Sequence, residues 1–193
     1  MNRKKMIALA TSIGILTIWM SWGMYSIYST PRPTFSIIET LGSSTEIRNY
    51  EEQTWISTEQ AGDRGSFMVL ASYIFGGNAD SEKIAMTAPV IQQGGEGLWD
   101  VQFVMPSDYT MQTLPKPNNP DVILKEIAGK RFAVIRFSGL ARANSLAAHT
   151  KELEAFILEN KLQTVSEPTY AFFNPPWTLP FLRRNEVMIE IKK

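Results

Sequence analysis

The sequence predicts an α+β domain, built from two pseudo-symmetric ββαββ-type repeats and preceded by one N-terminal transmembrane helix. Three observations support this prediction. Residues 6–28 contain no charged side chain. Downstream, apolar residues alternate with the period of strands, except in two segments with helical spacing. Strands and helices recur in the same order, so the repeats most economically form one curved antiparallel sheet or flattened barrel, with a helix on each half.

The N-terminal segment has the length and composition of a membrane anchor. Basic residues at positions 3–5 precede the uncharged stretch. As a helix this stretch would be roughly 35 Å long, enough to cross a hydrocarbon core of about 30 Å. Tryptophan and tyrosine side chains in its second half suit the headgroup interface. Because positive charge precedes the span, we expect a single-pass membrane protein with its domain on the non-cytoplasmic side, periplasmic or extracellular.

A cleaved signal peptide is the alternative for this segment. Its apolar region is usually shorter, and a cleavage site needs small residues where this chain has Tyr25, Ile27 and Tyr28. The sequence therefore favours an uncleaved signal-anchor over residues 1–30. Residues 31–33 then make a short, stiff linker, and residues 34–193 form the folded domain.

The charge balance and the missing residue types narrow the function. Lys plus Arg and Asp plus Glu each number 19, so no basic excess is present to neutralise the phosphates of a nucleic acid. The chain has no cysteine and one histidine, His149, which excludes thiolate nucleophiles and multi-histidine metal sites. G-x-S-x-G, Walker A and H-E-x-x-H motifs are absent. We therefore expect a binding protein, not an enzyme, and no nucleic-acid partner.

Each predicted repeat runs strand–strand–helix–strand–strand. In the first half, where one further strand precedes this pattern, the strands are predicted at 35–41, 45–50, 54–58, 87–92 and 98–105, with a helix from Asp63 to Ile74. In the second half they are predicted at 121–127, 131–137, 169–173 and 185–191, with a helix from Asn144 or Ser145 to Asn160. A groove between helix and sheet is expected where the repeats meet, and small-molecule sites commonly lie in such grooves.

Several motifs in this domain resemble those of the SOUL family of heme-binding proteins. The most specific are Met86-Thr87-Ala88-Pro89-Val90 and Arg183-Arg184-Asn185-Glu186-Val187. Between them lie two further matching segments, Phe103–Tyr109 and Asn174–Phe181. In order and spacing the resemblance extends from Ile37 to Lys192. It implies a distorted β-barrel of two pseudo-repeats flanked by two helices, in agreement with the duplication.

The resemblance also implies a ligand, namely heme or a related tetrapyrrole, bound around the first helix. This chain departs from the family pattern in two respects. It carries a membrane anchor, and it lacks the histidine near the first helix that serves as a proposed heme ligand in some members.

His149, on the second predicted helix, is the candidate metal ligand. Helical spacing places it in the stripe that contains Leu146, Leu153 and Phe156. It could be an axial ligand of heme iron. The alternative, which we favour, is a partly buried histidine hydrogen-bonded to a carbonyl group.

Four apolar residues of the first predicted helix are candidates for contact with a porphyrin face: Phe67, Met68, Ala71 and Ile74. Methionine suits such a surface because its thioether adapts in shape. An amphipathic helix would bury the same set against its own core, so both interpretations stay open.

Arg64 and Arg183 could pair with heme propionates, because a guanidinium donates two parallel N–H groups to a carboxylate. The alternative for each is a solvated surface charge, and for Arg184 a structural pair with Glu186. Trp177 follows two prolines in a rigid loop and would either cap the core or edge the groove.

The sequence thus predicts a membrane-tethered protein that binds heme or a related tetrapyrrole for buffering or transfer. Two alternatives stay open. The same fold could be an interaction module that uses its groove for a peptide or lipid, or an enzyme that modifies a tetrapyrrole.

Overall fold

The computed structural model of the chain describes residues 30–193 apart from 43, 62, 96 and 97, and upstream only residues 11, 14, 17 and 21. Among these residues, no helix is both long enough and apolar enough to cross a bilayer. The predicted anchor, residues 1–30, lies almost entirely outside the described residues.

The described part of residues 30–193 forms nine strands, two α-helices and a short 3-10 helix. The first repeat contains β1 (Phe35–Leu41), β2 (Thr45–Tyr50), β3 (Gln53–Ala61), α1 (Asp63–Ile74), β4 (Val90–Gly95) and β5 (Leu98–Val104). The second contains β6 (Ile123–Ile127), β7 (Arg131–Phe137), α2 (Ala143–Glu159), β8 (Thr169–Phe172), the 3-10 helix (Pro180–Leu182) and β9 (Asn185–Glu190). The predicted α+β class and order of elements are confirmed, with many boundaries matched and the others shifted by one to three residues.

All nine strands belong to one antiparallel sheet with the order β1-β2-β7-β9-β8-β4-β5-β3-β6. The strands β3-β5-β4 of the first repeat mirror β7-β9-β8 of the second, about an axis between β4 and β8. The repeats exchange the strands β2 and β6, because β2 pairs with β7 and β6 pairs with β3. The exchange makes each half of the sheet dependent on both repeats.

Two short connections bring the ends of this sheet together. Only residues 51 and 52 separate β2 from β3, although these strands are second and eighth in the sheet order. Residues 128–130 join β6 to β7 in the same way, and Tyr50 and Lys130 exchange backbone hydrogen bonds of 2.8 and 3.1 Å. The sheet therefore curls into a half-barrel. Its edge strands β1 and β6 do not pair with each other, so the predicted barrel is an open one.

The helices cover one face of the sheet and produce two separate cores. Under α1, Leu70, Tyr73 and Ile74 pack with residues of β3 and β5, including Ile56, Val101 and Phe103. Under α2, Leu153 and Ile157 pack with residues of β7 and β9, including Ile135 and Val187. Because successive strand side chains alternate between faces, the intervening residues point into the concave side of the half-barrel.

The concave side contains a third apolar cluster and a buried ionic network. The cluster includes Phe132, Phe173 and Met188. Beside it, the guanidinium of Arg48 is 2% exposed and the carboxylate of Glu186 is fully buried. Burial alone would lower the pKa of Arg48, but hydrogen bonding to Glu186 and its charge outweigh burial, so the pKa lies above its usual value.

Residues 31–33, predicted as a short, stiff linker, pack against the concave side. The carbonyl of Pro31 accepts a hydrogen bond of 2.9 Å from the amide of Ala88. The guanidinium carbon of Arg32 lies 5.7 Å from the centre of the Phe173 ring. Pro31 and Arg32 therefore contact the folded domain, and the boundary at Thr34 stays a prediction.

Candidate functional site

A groove of about 690 Å³ lies on the helix-covered face, between the N-terminal end of α2 and the centre of the sheet. Its size falls within the range of roughly 300–1,000 Å³ that is usual for small-molecule sites. We call it the α2 groove, and its main lining side chains are Trp99, Leu140, Arg142, Leu146, Tyr170, Phe172, Asn174, Arg183 and Asn185.

The floor of the α2 groove is aromatic and comes from β8 and β5, near the axis between the repeats. Tyr170 and Phe172 are two residues apart on β8, so their side chains share one face of the sheet. The ring of Trp99, on β5, lies 6.5 Å from that of Tyr170 at an interplanar angle of 48°. All three rings are half-buried. Such a surface suits the face of a flat apolar ligand.

One end of the α2 groove is positively polarised. Arg142 is the N-cap residue of α2, no side chain caps the helix, and its first turn contains no acidic residue. The first amides of a helix carry the positive end of its dipole, and an anionic group is stabilised there. Arg142 and Arg183 both line the groove. The groove therefore combines an apolar floor with a site for carboxylates.

A second cavity, of about 320 Å³, lies under residues 31–34 on the concave side. Glu51, Glu52 and Glu126 are among its lining residues. Carboxylates at these positions would repel an anionic ligand. The α2 groove is therefore the better candidate site.

Of the predicted ligand-binding residues, Arg183 lies directly in the α2 groove. Its Nε donates a hydrogen bond of 2.8 Å to the carbonyl of Thr178, and it donates another to the carbonyl of Pro176. Trp177 is 56% exposed and follows Pro176, which lines the groove. Of the two alternatives for Trp177, its exposure favours an edge of the groove over a core cap.

The predicted residues of α1 do not line the α2 groove. Ala71 and Ile74 are buried in the core, and Phe67 packs partly against it, 5.3 Å from Phe103 in an edge-to-face arrangement. Arg64 and Met68 are exposed. The structure thus separates the predicted set into buried and exposed residues, and their contact with a ligand stays a prediction.

His149 lies on α2 but outside the groove lining. Its Nδ1 is 2.7 Å from the carbonyl oxygen of Ser145, one helical turn earlier. Its ring stacks on Phe137 with 3.9 Å between centroids and 12° between planes. This geometry corresponds to the structural interpretation of His149. Only Nε2 would then be available for coordination of a metal.

Sequence reasoning missed the aromatic floor and Arg142. Trp99, Tyr170 and Phe172 each fit a strand pattern, and only the β4–β5 and β4–β8 pairings bring them together. The cation at position 142 immediately before a helix was an available signal, because helix N-termini attract anions.

Comparison with known proteins identifies the family of this chain. Residues 30–190 match the family described as SOUL heme-binding protein. This chain belongs to the SOUL heme-binding protein family. It is 30% identical over 161 residues to human heme-binding protein 2, an alignment that covers 76% of this chain and 77% of the relative. A heme-binding family is consistent with a groove that has an apolar floor and a cationic end.

Solved structures support the fold. The C-terminal domain of EcmrR matches with a TM-score of 0.58 and 14% identity, covering 79% of this chain and 99% of that domain. An uncharacterized conserved protein from Listeria innocua matches with a TM-score of 0.58 and 12% identity, covering 77% of this chain and 92% of the other. At such identities the similarity shows the architecture alone.

Proposed function

We propose that this SOUL-family protein binds heme or a related tetrapyrrole in the α2 groove, and that it buffers or transfers this ligand while tethered to a membrane. The observation that carries the proposal is the pairing of an aromatic floor with a cationic end in one groove. Family membership supports the same ligand class. In this proposal the protein is a binder and not an enzyme.

The floor residues would supply most of the binding free energy. Trp99, Tyr170 and Phe172 present half-buried rings to the groove. Covering apolar surface contributes about 25 cal/mol per Å² removed from water. Leu140 and Leu146 add aliphatic surface at the side of α2. This set fits a flat macrocycle whose polar groups are confined to one edge.

The cationic end would orient the ligand. Arg142 and the first amides of α2 would form a site for a propionate carboxylate, and Arg183 is a second cation in the groove lining. Arg183 also donates to two loop carbonyls, so its position is fixed before a ligand arrives. Orientation by these groups needs no bond to iron.

Coordination of iron is a separate question from binding. Bound heme would offer its iron to an axial ligand, and His149 is the candidate because the chain has one histidine. Since Nδ1 faces the Ser145 carbonyl, Nε2 would be the coordinating atom. Arg64 and Met68, exposed on α1, belong to an alternative site on the first helix.

The membrane tether rests on the uncharged stretch of residues 6–28 behind the basic residues 3–5. In this proposal the domain faces the non-cytoplasmic side. A reporter enzyme that is active only in the cytoplasm, fused after Lys193, should therefore be inactive in cells. An active reporter would refute the orientation.

A titration with hemin and with iron-free porphyrin tests the binding proposal. The fragment 30–193 retains the contacts of Pro31 and Arg32 with the domain. We expect a saturable one-to-one absorbance change with both ligands. Replacement Arg142→Gln should weaken binding about fivefold, because it removes roughly 1 kcal/mol of charge pairing. The matched variant Arg64→Gln should bind as the wild type does.

Three outcomes would overturn parts of this proposal. The absence of a saturable change with either ligand would refute tetrapyrrole binding and favour an interaction module. A loss of affinity in Arg64→Gln but not in Arg142→Gln would move the site to α1. Turnover of bound heme in the presence of a reductant would show an enzyme.

A further inference from the structure

Three large apolar side chains are exposed near one another at the rim of the α2 groove. Leu140 is 39% exposed, Trp177 56% and Phe181 66%. We call them the Trp177 patch. Exposed apolar clusters of this kind mark interaction surfaces, because their hydration is unfavourable.

The two segments that carry the Trp177 patch are bonded together. The amide of Gly139 donates a hydrogen bond of 2.9 Å to the carbonyl of Pro180. The side chain of Asn185 donates one of 3.1 Å to the carbonyl of Gly139. The bonds from Arg183 to the carbonyls of Thr178 and Pro176 hold the loop that contains Trp177. The patch is therefore presented on a fixed backbone.

The surroundings of the patch are basic. Residues 136–147 and 174–185 contain four arginines and no aspartate or glutamate. Arg184 is neutralised by an ion pair of 2.6 Å with Glu186, and Arg136 lies on the opposite face of β7, which leaves Arg142 and Arg183. Aromatic residues flanked by arginine are typical of surfaces that enter the headgroup region of an anionic bilayer.

The start of the described domain contacts a residue that leads into the loop of Trp177. Arg32 lies over the ring of Phe173, and Phe173 directly precedes the loop 174–184. Trp177 is four residues after Phe173, so their Cα atoms are at most about 14 Å apart. The uncharged stretch of residues 6–28 ends four positions before Arg32 in the sequence. In the tether proposed above, this stretch is joined to the domain through Arg32, which contacts the residue before the loop that carries Trp177.

We propose that the Trp177 patch inserts into the headgroup–acyl boundary of the membrane that holds the N-terminal segment. The proposal rests on the tether proposed above and adds a second contact to it. Leu140 and Arg183 also line the α2 groove, so docking places the mouth of the groove at the lipid surface. An apolar tetrapyrrole dissolved in the bilayer then enters the groove without crossing water.

The cysteine-free sequence allows a direct test with the full chain. A single cysteine introduced as Phe181→Cys carries an environment-sensitive NBD fluorophore, and the chain is reconstituted into phosphatidylcholine vesicles with and without phosphatidylglycerol. The matched control is Leu158→Cys. Leu158 is 78% exposed and lies about 23 Å from the start of α2, where the helix borders the groove. We expect blue-shifted emission and quenching by spin-labelled lipid for position 181 only, enhanced by phosphatidylglycerol.

Each outcome separates docking from the tether, which an alkaline carbonate wash tests independently. If the chain resists the wash but the label at 181 behaves like that at 158, docking is wrong and the tether stands. If the chain is washed off while the label at 181 is quenched by lipid at neutral pH, docking stands without the tether. If the label at 181 is shielded from iodide but not quenched by lipid, a protein surface covers the patch and the proposal is overturned.

Discussion

The buried carboxylate of Glu186 accepts hydrogen bonds of 2.9 and 3.1 Å from the two terminal nitrogens of the Arg48 guanidinium, across 138 positions of sequence. Arg48 belongs to β2 and Glu186 to β9, and β7 lies between these strands. Arg184 donates to the same carboxylate, and Glu46 accepts from Arg48. This network links β2 of the first repeat to β9 of the second.

We expect Glu186→Gln to lower the free energy of unfolding by about 3–5 kcal/mol, because it leaves the buried charge of Arg48 without its main partner. Urea unfolding of residues 30–193 measures the change. The matched control is Glu190→Gln on the same strand, where the carboxylate is 20% exposed and pairs with Lys130. A partly exposed pair contributes at most about 1 kcal/mol. Equal, small losses in both variants would show that the network is not stabilising.

Gly129→Ala should destabilise the half-barrel by about 1–3 kcal/mol. A Cβ atom at this position would lie 2.9 Å from the backbone carbonyl oxygen of Tyr50, at the point where the two short connections meet. The control Gly65→Ala places its methyl group in open space on α1, where alanine should stabilise by roughly 0.5–1 kcal/mol. Thermal unfolding of both variants checks the prediction, and it fails if Gly129→Ala unfolds with the wild-type midpoint.

Local patterns were sufficient to predict the strands and helices but not the strand partners. The alternation of apolar residues in β2 shows which face is buried, and it does not say whether β3 or β7 lies beside it. The exchanged strands and the Arg48–Glu186 pair are therefore features of tertiary structure. The floor of the α2 groove was missed for the same reason. In contrast, the ion pair of Arg184 with Glu186 could be predicted from sequence alone, because residues two apart in an extended segment point to the same side.

Stability should fall at alkaline pH through the phenol of Tyr73. Burial raises the pKa of this phenol to about 12, with added repulsion from Glu82 and Tyr109. Because the folded pKa is above the unfolded value of 10.0, the contribution is complete below pH 10 and is lost as pH rises towards about 12. Urea midpoints of the fragment across this range measure the loss.

The variant Tyr73→Phe tests this assignment. At neutral pH it should be less stable by about 1 kcal/mol, because the hydroxyl of Tyr73 donates a hydrogen bond of 2.8 Å to the carbonyl of Pro115. Between pH 10 and 12 it should lose less stability than the wild type. Burial also raises the pKa of Tyr50, so part of the alkaline loss should persist in the variant. Parallel pH profiles for both proteins would contradict the role of Tyr73.

Replacement of His149 separates iron ligation from ligand binding. The variant His149→Phe keeps a ring to stack on Phe137 but has no nitrogen to coordinate iron. Because His149 does not line the α2 groove, we expect hemin to bind the variant with unchanged affinity and an unchanged Soret band. Iron-free porphyrin serves as the control ligand, since its binding cannot depend on coordination. A shifted Soret band and weaker hemin binding, with porphyrin binding intact, would instead identify His149 as the axial ligand and require Nε2 to reach the bound iron.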